Sequence, residues 1–118
     1  MRASFVLAIC LGASAPAADA PQLLAHLRQL TADTACTAHA QCHTLALGAR
    51  ACGGPEAYLA WSSARSDEKT LAPLAAQYKE LRAAQVAAAG ELSDCRVLRD
   101  PGALCQAGRC QLAAPDPS

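Results

Sequence analysis

Between positions 20 and 35 the apolar residues recur at helical spacing. Leu23, Leu27, Leu30 and Thr34 follow at intervals of four, three and four, with Leu24 beside them. This lays one apolar stripe along a helix predicted over 22–35. Pro21 suits the first turn, where its missing N–H costs little, and His26 beside Leu27 is expected to pack half-exposed. Residues 36–41 read as a connector. From Cys42 to Leu47 the period changes to alternation, with Leu45 and Leu47 on one face and Cys42, Thr44 and Ala46 on the other. That is a short strand stopped by Gly48. Cys52-Gly53-Gly54-Pro55 predicts a turn, since two glycines accept positive φ and the proline fixes the exit. Tyr58 to Trp61 predicts a second strand, with a helical turn from Pro55 as the competing reading. Tyr58 and Trp61 are expected to anchor the core, with a binding hot spot as the alternative if they are partly exposed. Residues 62–68 are polar and read as a loop.

The longest helix is predicted over 70–89, with Leu71, Leu74, Tyr78 and Leu81 as its stripe. Thr70 is expected to cap it, which puts Pro73 in the first turn, and Gly90 ends it. The run Ala87-Ala88-Ala89 offers a flat face for close packing. Residues 95–98 read as a short strand, and Asp100-Pro101-Gly102 as a turn. Residues 104–112 form a tight hairpin about Ala107-Gly108, in which Cys105 and Cys110 fall nearly opposite. Residues 113–118 read as a disordered tail. The fold class is α+β: a small disulfide-stabilised domain of two main helices and a few short antiparallel strands.

Composition explains the need for disulfides. Hydrophobic residues make up 53% of the 118, but thirty of them are alanine. Beyond residue 17 the large aliphatics are fourteen Leu and two Val, with no Ile, Met or Phe. Such a chain buries little area per residue, so its core is marginal. Ten basic and ten acidic residues give zero net charge, which argues against nucleic acid or anionic lipid as the main partner. After the N-terminal segment no apolar run is long enough to span a bilayer.

The N-terminus has the layout of a secretion signal. Met1-Arg2 is a positive start, 3–11 an apolar stretch and 12–20 a small-residue region. Cleavage is expected after Ala17, leaving a single domain over 18–112. Leu7-Ala8-Ile9-Cys10 is similar to a bacterial lipoprotein box, except that Ile9 stands where a small residue is usual. Export with Cys10 removed is therefore the expectation, and a lipid anchor at Cys10 the alternative. The destination is the periplasm or the medium, where thiols oxidise. Six cysteines remain in two clusters: Cys36, Cys42 and Cys52, then Cys95, Cys105 and Cys110. Each cluster is odd, so complete pairing requires one or three bridges between them. This holds for all 15 connectivities, among which spacing does not choose.

Few residues offer other chemistry. Cys36-x2-His39-x2-Cys42-His43 places four candidate zinc ligands in eight residues, but no second pair lies at ligand spacing. No cofactor or resident metal is expected. Ser66-Asp67-Glu68-Lys69 matches S-x-x-K, yet at a helix start Ser66 or Asp67 serves more simply as a cap. Glu80 and Glu91 have no carboxylate partner at a spacing that suggests one cleft. C-x-x-C, G-x-S-x-G and phosphate-loop patterns do not occur.

The order Cys36…Gln41-Cys42…Gly48…Cys52-Gly53-Gly54-Pro55…Tyr58-Leu59…Ser62, then Ser93-Asp94-Cys95…Pro101…Cys105…Gly108…Cys110, resembles a family of small exported bacterial six-cysteine proteins. The resemblance covers about 36–110. It implies export and a disulfide framework, and carries over no catalytic residue. The expected function is a non-catalytic exported binding module, with hydrolase inhibition as one form it could take. Its partner would be a protein or other envelope component. The segments expected to touch that partner are Gly53, Gly54, Pro55 and Glu56 at one turn, and Ala107, Gly108 and Arg109 at the hairpin tip. The alternative is a metal-binding protein using Cys36, His39, Cys42 and His43.

Overall fold

A computed structural model describes residues 19–92 and 95–113; residues 1–18, where a signal is expected, the tail beyond Ala113 and Ser93-Asp94 lie outside the described residues. The elements run α1 (Ala20–Leu30), a 3-10 turn (His39–Gln41), β1 (Cys42–Leu47), β2 (Ala57–Ser62), α2 (Glu68–Ala89), β3 (Ala103–Gln106) and β4 (Arg109–Leu112). β1 pairs antiparallel with β2, and β3 with β4. The fold is thus a small mixed α+β domain crossed by three disulfides.

The alternation in β1 divides the molecule into layers. Leu45 lies opposite Leu59, and His43 opposite Trp61. Leu45, Leu47, Leu59 and Trp61 face the helices, where Leu23, Leu27, Leu71 and Tyr78 complete the main core. The other face of the ribbon, carrying Cys42, Thr44, Tyr58, Ala60 and Ser62, turns to the second hairpin. There Cys42, Cys36 and Cys110 are buried against Ala60, Ala103 and Cys105. A two-stranded ribbon, marginal in water by itself, is therefore covered on both faces. Trp61 is 5% exposed, with its ring centroid 4.7 Å from that of His43. Its indole N–H has no acceptor among the described residues. Tyr58 is half-buried, and its hydroxyl donates to the Leu98 carbonyl at 3.2 Å.

Capping sets the helix limits and corrects three predicted boundaries. α1 starts earlier because the Asp19 carboxylate accepts from the Gln22 N–H at 2.9 Å. It ends at Leu30, short of residue 35, because the Thr31 hydroxyl donates back to the Leu27 carbonyl at 2.8 Å. Thr34 therefore lies outside the helix. His26 is exposed rather than half-packed. α2 is capped by Asp67, which accepts from the Lys69 N–H at 3.1 Å, not by Thr70. Pro73 consequently sits inside the helix, one turn beyond the predicted place, and leaves the Lys69 carbonyl without its helical donor. Gly90 closes the helix in the left-handed conformation, at φ 63°.

Length explains a further correction. α2 has 22 residues and α1 has 11, about 33 Å against about 16 Å at 1.5 Å per residue. The far half of α2 outruns its helical partner. Ala87, Ala88 and Ala89 are exposed instead of packed, although Val86 is buried. Residues 95–98 do not form the predicted strand. They cross the second face of the ribbon as a strap, and Asp100 then forms the expected turn by accepting from the Gly102 N–H at 2.9 Å. The same carboxylate accepts from the Thr44 hydroxyl at 2.8 and 2.9 Å, tying the turn to β1.

The second hairpin has the predicted turn. Ala107 and Gly108 both take positive φ, 51° and 75°, as a two-residue turn matched to strand twist requires. Cys105 and Cys110 are direct cross-strand partners. The outer edge of β4 is covered by the segment before β1: the Cys110 N–H donates to the Thr34 carbonyl at 2.8 Å, and the Cys36 N–H to the Gly108 carbonyl at 2.9 Å. This segment is held under the ribbon by Ser62, fully buried, whose hydroxyl donates to the Ala35 carbonyl at 2.7 Å and accepts from the Ala64 N–H at 3.2 Å. Ser62→Ala removes both bonds and strands the groups that made them. The expected loss is about 1–3 kcal/mol, read as a lower urea midpoint at unchanged m-value.

Candidate functional site

The six cysteines pair as Cys36–Cys105, Cys42–Cys110 and Cys52–Cys95. All three bridges join the front cluster to the back cluster, the larger of the two counts that parity allows. Although Cys105 and Cys110 face each other across the hairpin, each reaches instead to a different front cysteine. The second hairpin is thereby riveted to the ribbon and to the segment preceding it.

This pairing overturns the metal reading. The sulfurs of Cys36, Cys42 and Cys105 do lie within 4.8 Å of one another. Each is bonded to another sulfur, however, and has no thiolate charge to give a metal. The two histidines are engaged elsewhere. His39 Nδ1 accepts from the Cys105 N–H at 2.9 Å, and His43 lies against Trp61. Cys36, His39, Cys42 and His43 therefore do not form a ligand set. Ser66 of the S-x-x-K match donates to the Leu30 carbonyl at 2.9 Å, linking the end of α1 to the approach to α2, while Asp67 caps.

An open cleft includes Ala51, the chain neighbour of Cys52 in the third bridge. It is lined by Ala49, Arg50, Glu56, Arg82, Val86 and Leu98, between the β1–β2 loop, the far half of α2 and the strap. Gly48 opens the loop at φ 75°, and a Cβ there would collide with the Glu56 carboxylate. The loop closes on itself through the Arg50 N–H to the Gly54 carbonyl at 3.0 Å and the Gly53 N–H to the Arg50 carbonyl at 2.9 Å. Arg82 reaches from α2 to grip Glu56, with Nε donating at 3.0 and 3.1 Å and Nη2 at 2.5 Å. Its Nη1 donates to Gln85 at 2.8 Å. Hydrogen bonding to Glu56 raises the proton affinity of Arg82 above its ordinary value, against a smaller opposing effect of burial. Both side chains are about three-quarters covered, with 25% and 28% exposed, so the pair is better shielded than a surface ion pair. Arg50 Nη1 donates to the Arg96 carbonyl at 3.2 Å.

The residues expected to touch a partner fall in two separate places. Gly53 and Gly54 are exposed, while Pro55 and Glu56 are half-buried and Glu56 is occupied by Arg82. Ala107, Gly108 and Arg109 are exposed at the hairpin tip, with the Arg109 backbone bridged to Ala35. The first turn follows the Leu47 end of the ribbon. The tip lies near the Cys42 end, five strand positions away, or about 17 Å at 3.3 Å per residue. The fold does not gather them into one patch. Arg82, which fixes the first turn, carried no sequence signal, because nothing in helical periodicity points to a glutamate 26 positions earlier.

Compared with models of known protein families, with curated proteins and with solved structures, the chain matches none.

Proposed function

We propose that this chain is an exported, non-catalytic binding module that presents pre-ordered loops from a disulfide scaffold. The observation that carries the reading is the pairing itself: every bridge connects the two cysteine clusters. The loop at 48–56 is held at its tip by Cys52 and at its base by Arg82. The tip at 107–109 is flanked by Cys105 and Cys110 and seated on 34–36. Loops fixed in this way lose little freedom on docking, which favours affinity without a large interface. Three disulfides call for an oxidising compartment, in accord with the signal-like N-terminus and with the resemblance to small exported bacterial six-cysteine proteins. A hydrolase of that compartment is the partner class to test first.

The experiment places a photo-crosslinking residue at Ala51, at Arg109 or at Ala88, all exposed, in cells making the full chain. Discrete adducts from Ala51 or Arg109 on protein recovered outside the cytoplasm are expected. A captured hydrolase is then assayed with and without the purified module. Adducts confined to Ala88, or retention of the chain in the cytoplasm with free thiols, would refute the proposal.

A further inference from the structure

The three bridges differ in access. Cys36, Cys42 and Cys110 are 7%, 9% and 4% exposed, and Cys105 is half-buried. Cys52 and Cys95 are both exposed. Cys95 also holds a left-handed backbone, at φ 61°, which a side chain with a Cβ adopts only at a cost.

We infer that Cys52–Cys95 is a thiol–disulfide exchange site for a dithiol reductant, and that its opening releases the strap from the β1–β2 loop while the domain stays folded. The thiolate of the reductant attacks one sulfur of the pair, forming a mixed disulfide as the Cys52–Cys95 bond breaks. The other cysteine departs as a thiolate and takes up a proton. The second thiol of the reductant then attacks the mixed disulfide and frees the remaining cysteine. Cys52 and Cys95 gain two electrons and two protons in all, and the reductant ends as a disulfide. The attacking sulfur must approach along the S–S axis, and access limits the rate. Burial protects Cys36–Cys105 and Cys42–Cys110 from such approach, whereas Cys52 and Cys95 are exposed.

Opening has a local consequence. The strap retains hydrogen bonds from Arg50 to the Arg96 carbonyl and from Tyr58 to the Leu98 carbonyl, both in exposed positions. Without the covalent tie, Cys95 can leave its left-handed conformation, and Leu98 can swing from the cleft wall. The helices and the ribbon do not depend on this bridge, because neither Cys52 nor Cys95 belongs to the main core or to the cluster of the two buried bridges. The inference rests on the exposure and backbone of this pair, not on the binding proposal.

The test titrates the fully oxidised protein with dithiothreitol under native conditions, alkylates at intervals and maps the labelled cysteines by mass. Cys52 and Cys95 are expected to be labelled together, at least about tenfold faster than the other four, given the dependence of exchange on access. At that stage far-UV circular dichroism is unchanged, and amide exchange rises over 95–99. Labelling of Cys36, Cys42, Cys105 or Cys110 at the same rate, or loss of helix in the first step, would overturn the inference. The double variant Cys52→Ser/Cys95→Ser supplies the open form without reductant. It should unfold cooperatively with two bridges intact and show the same raised exchange at 95–99. Failure of this variant to fold, or exchange equal to that of the oxidised protein, would also overturn it.

Discussion

Reduction of all three disulfides is expected to abolish the cooperative thermal transition, leaving a chain unfolded at room temperature. The bridges span 69, 68 and 43 residues. In the chain-entropy model each loop alone contributes about 4 kcal/mol, against about 5–10 kcal/mol for the whole of a small domain. The loops overlap, so these values do not add, but losing all three closures at once exceeds what the core can offset. That core is seven buried residues, one of them an alanine, with five half-buried leucines around them. The second cluster is made almost wholly of cysteine and alanine, so it loses its own packing when the sulfurs part. Circular dichroism melts in excess phosphine reductant check the result. An unchanged melting temperature would show that the apolar core suffices.

Leu71→Ala in the oxidised protein should cost about 2–5 kcal/mol, the range for emptying a fully buried leucine site. Leu71 is 1% exposed and sits in the first turns of α2, in the same cluster as Leu27 at 0%. Few large side chains are at hand to close over the vacancy. The far end of the same region gives the contrast. Leu92 is 97% exposed, and Leu92→Ala should fall within about 0.5 kcal/mol of the parent, as surface changes do. Urea denaturation of the two variants separates these outcomes. Equal losses would mean that α2 is not anchored through its N-terminal half.

Periodicity carried most of the fold because each apolar stripe has one surface to cover. The alternation at 42–47 foretold that Leu45 and Leu47 would face one layer and Cys42 another, and the two faces of β1 do part in this way. The tight turn at Ala107-Gly108 was legible because only a short turn brings Cys105 opposite Cys110. Helix ends were less legible, since a cap is one hydrogen bond made by a residue with several possible roles. Asp19 stood inside what read as a signal-cleavage region and proved to cap α1. The strap at 95–98 has strand-like residues but pairs with no described strand, and side-chain contacts from Arg50 and Tyr58 hold its path instead. The candidate site was half visible. The glycine-rich turn announced itself, whereas the Arg82–Glu56 pair depends on the packing of α2 across the loop. The cysteine clusters fixed only the parity of the cross-links; which sulfur meets which was decided by the layering.

Covalent ties join the front and back of the folded chain. The direct measurement is a peptide map of the purified, unreduced protein, with free thiols blocked before digestion. It should yield three linked pairs, Cys36 with Cys105, Cys42 with Cys110 and Cys52 with Cys95, and no alkylated cysteine beyond residue 17. Pairs formed within either cluster, or blocked thiols among these six, would contradict it.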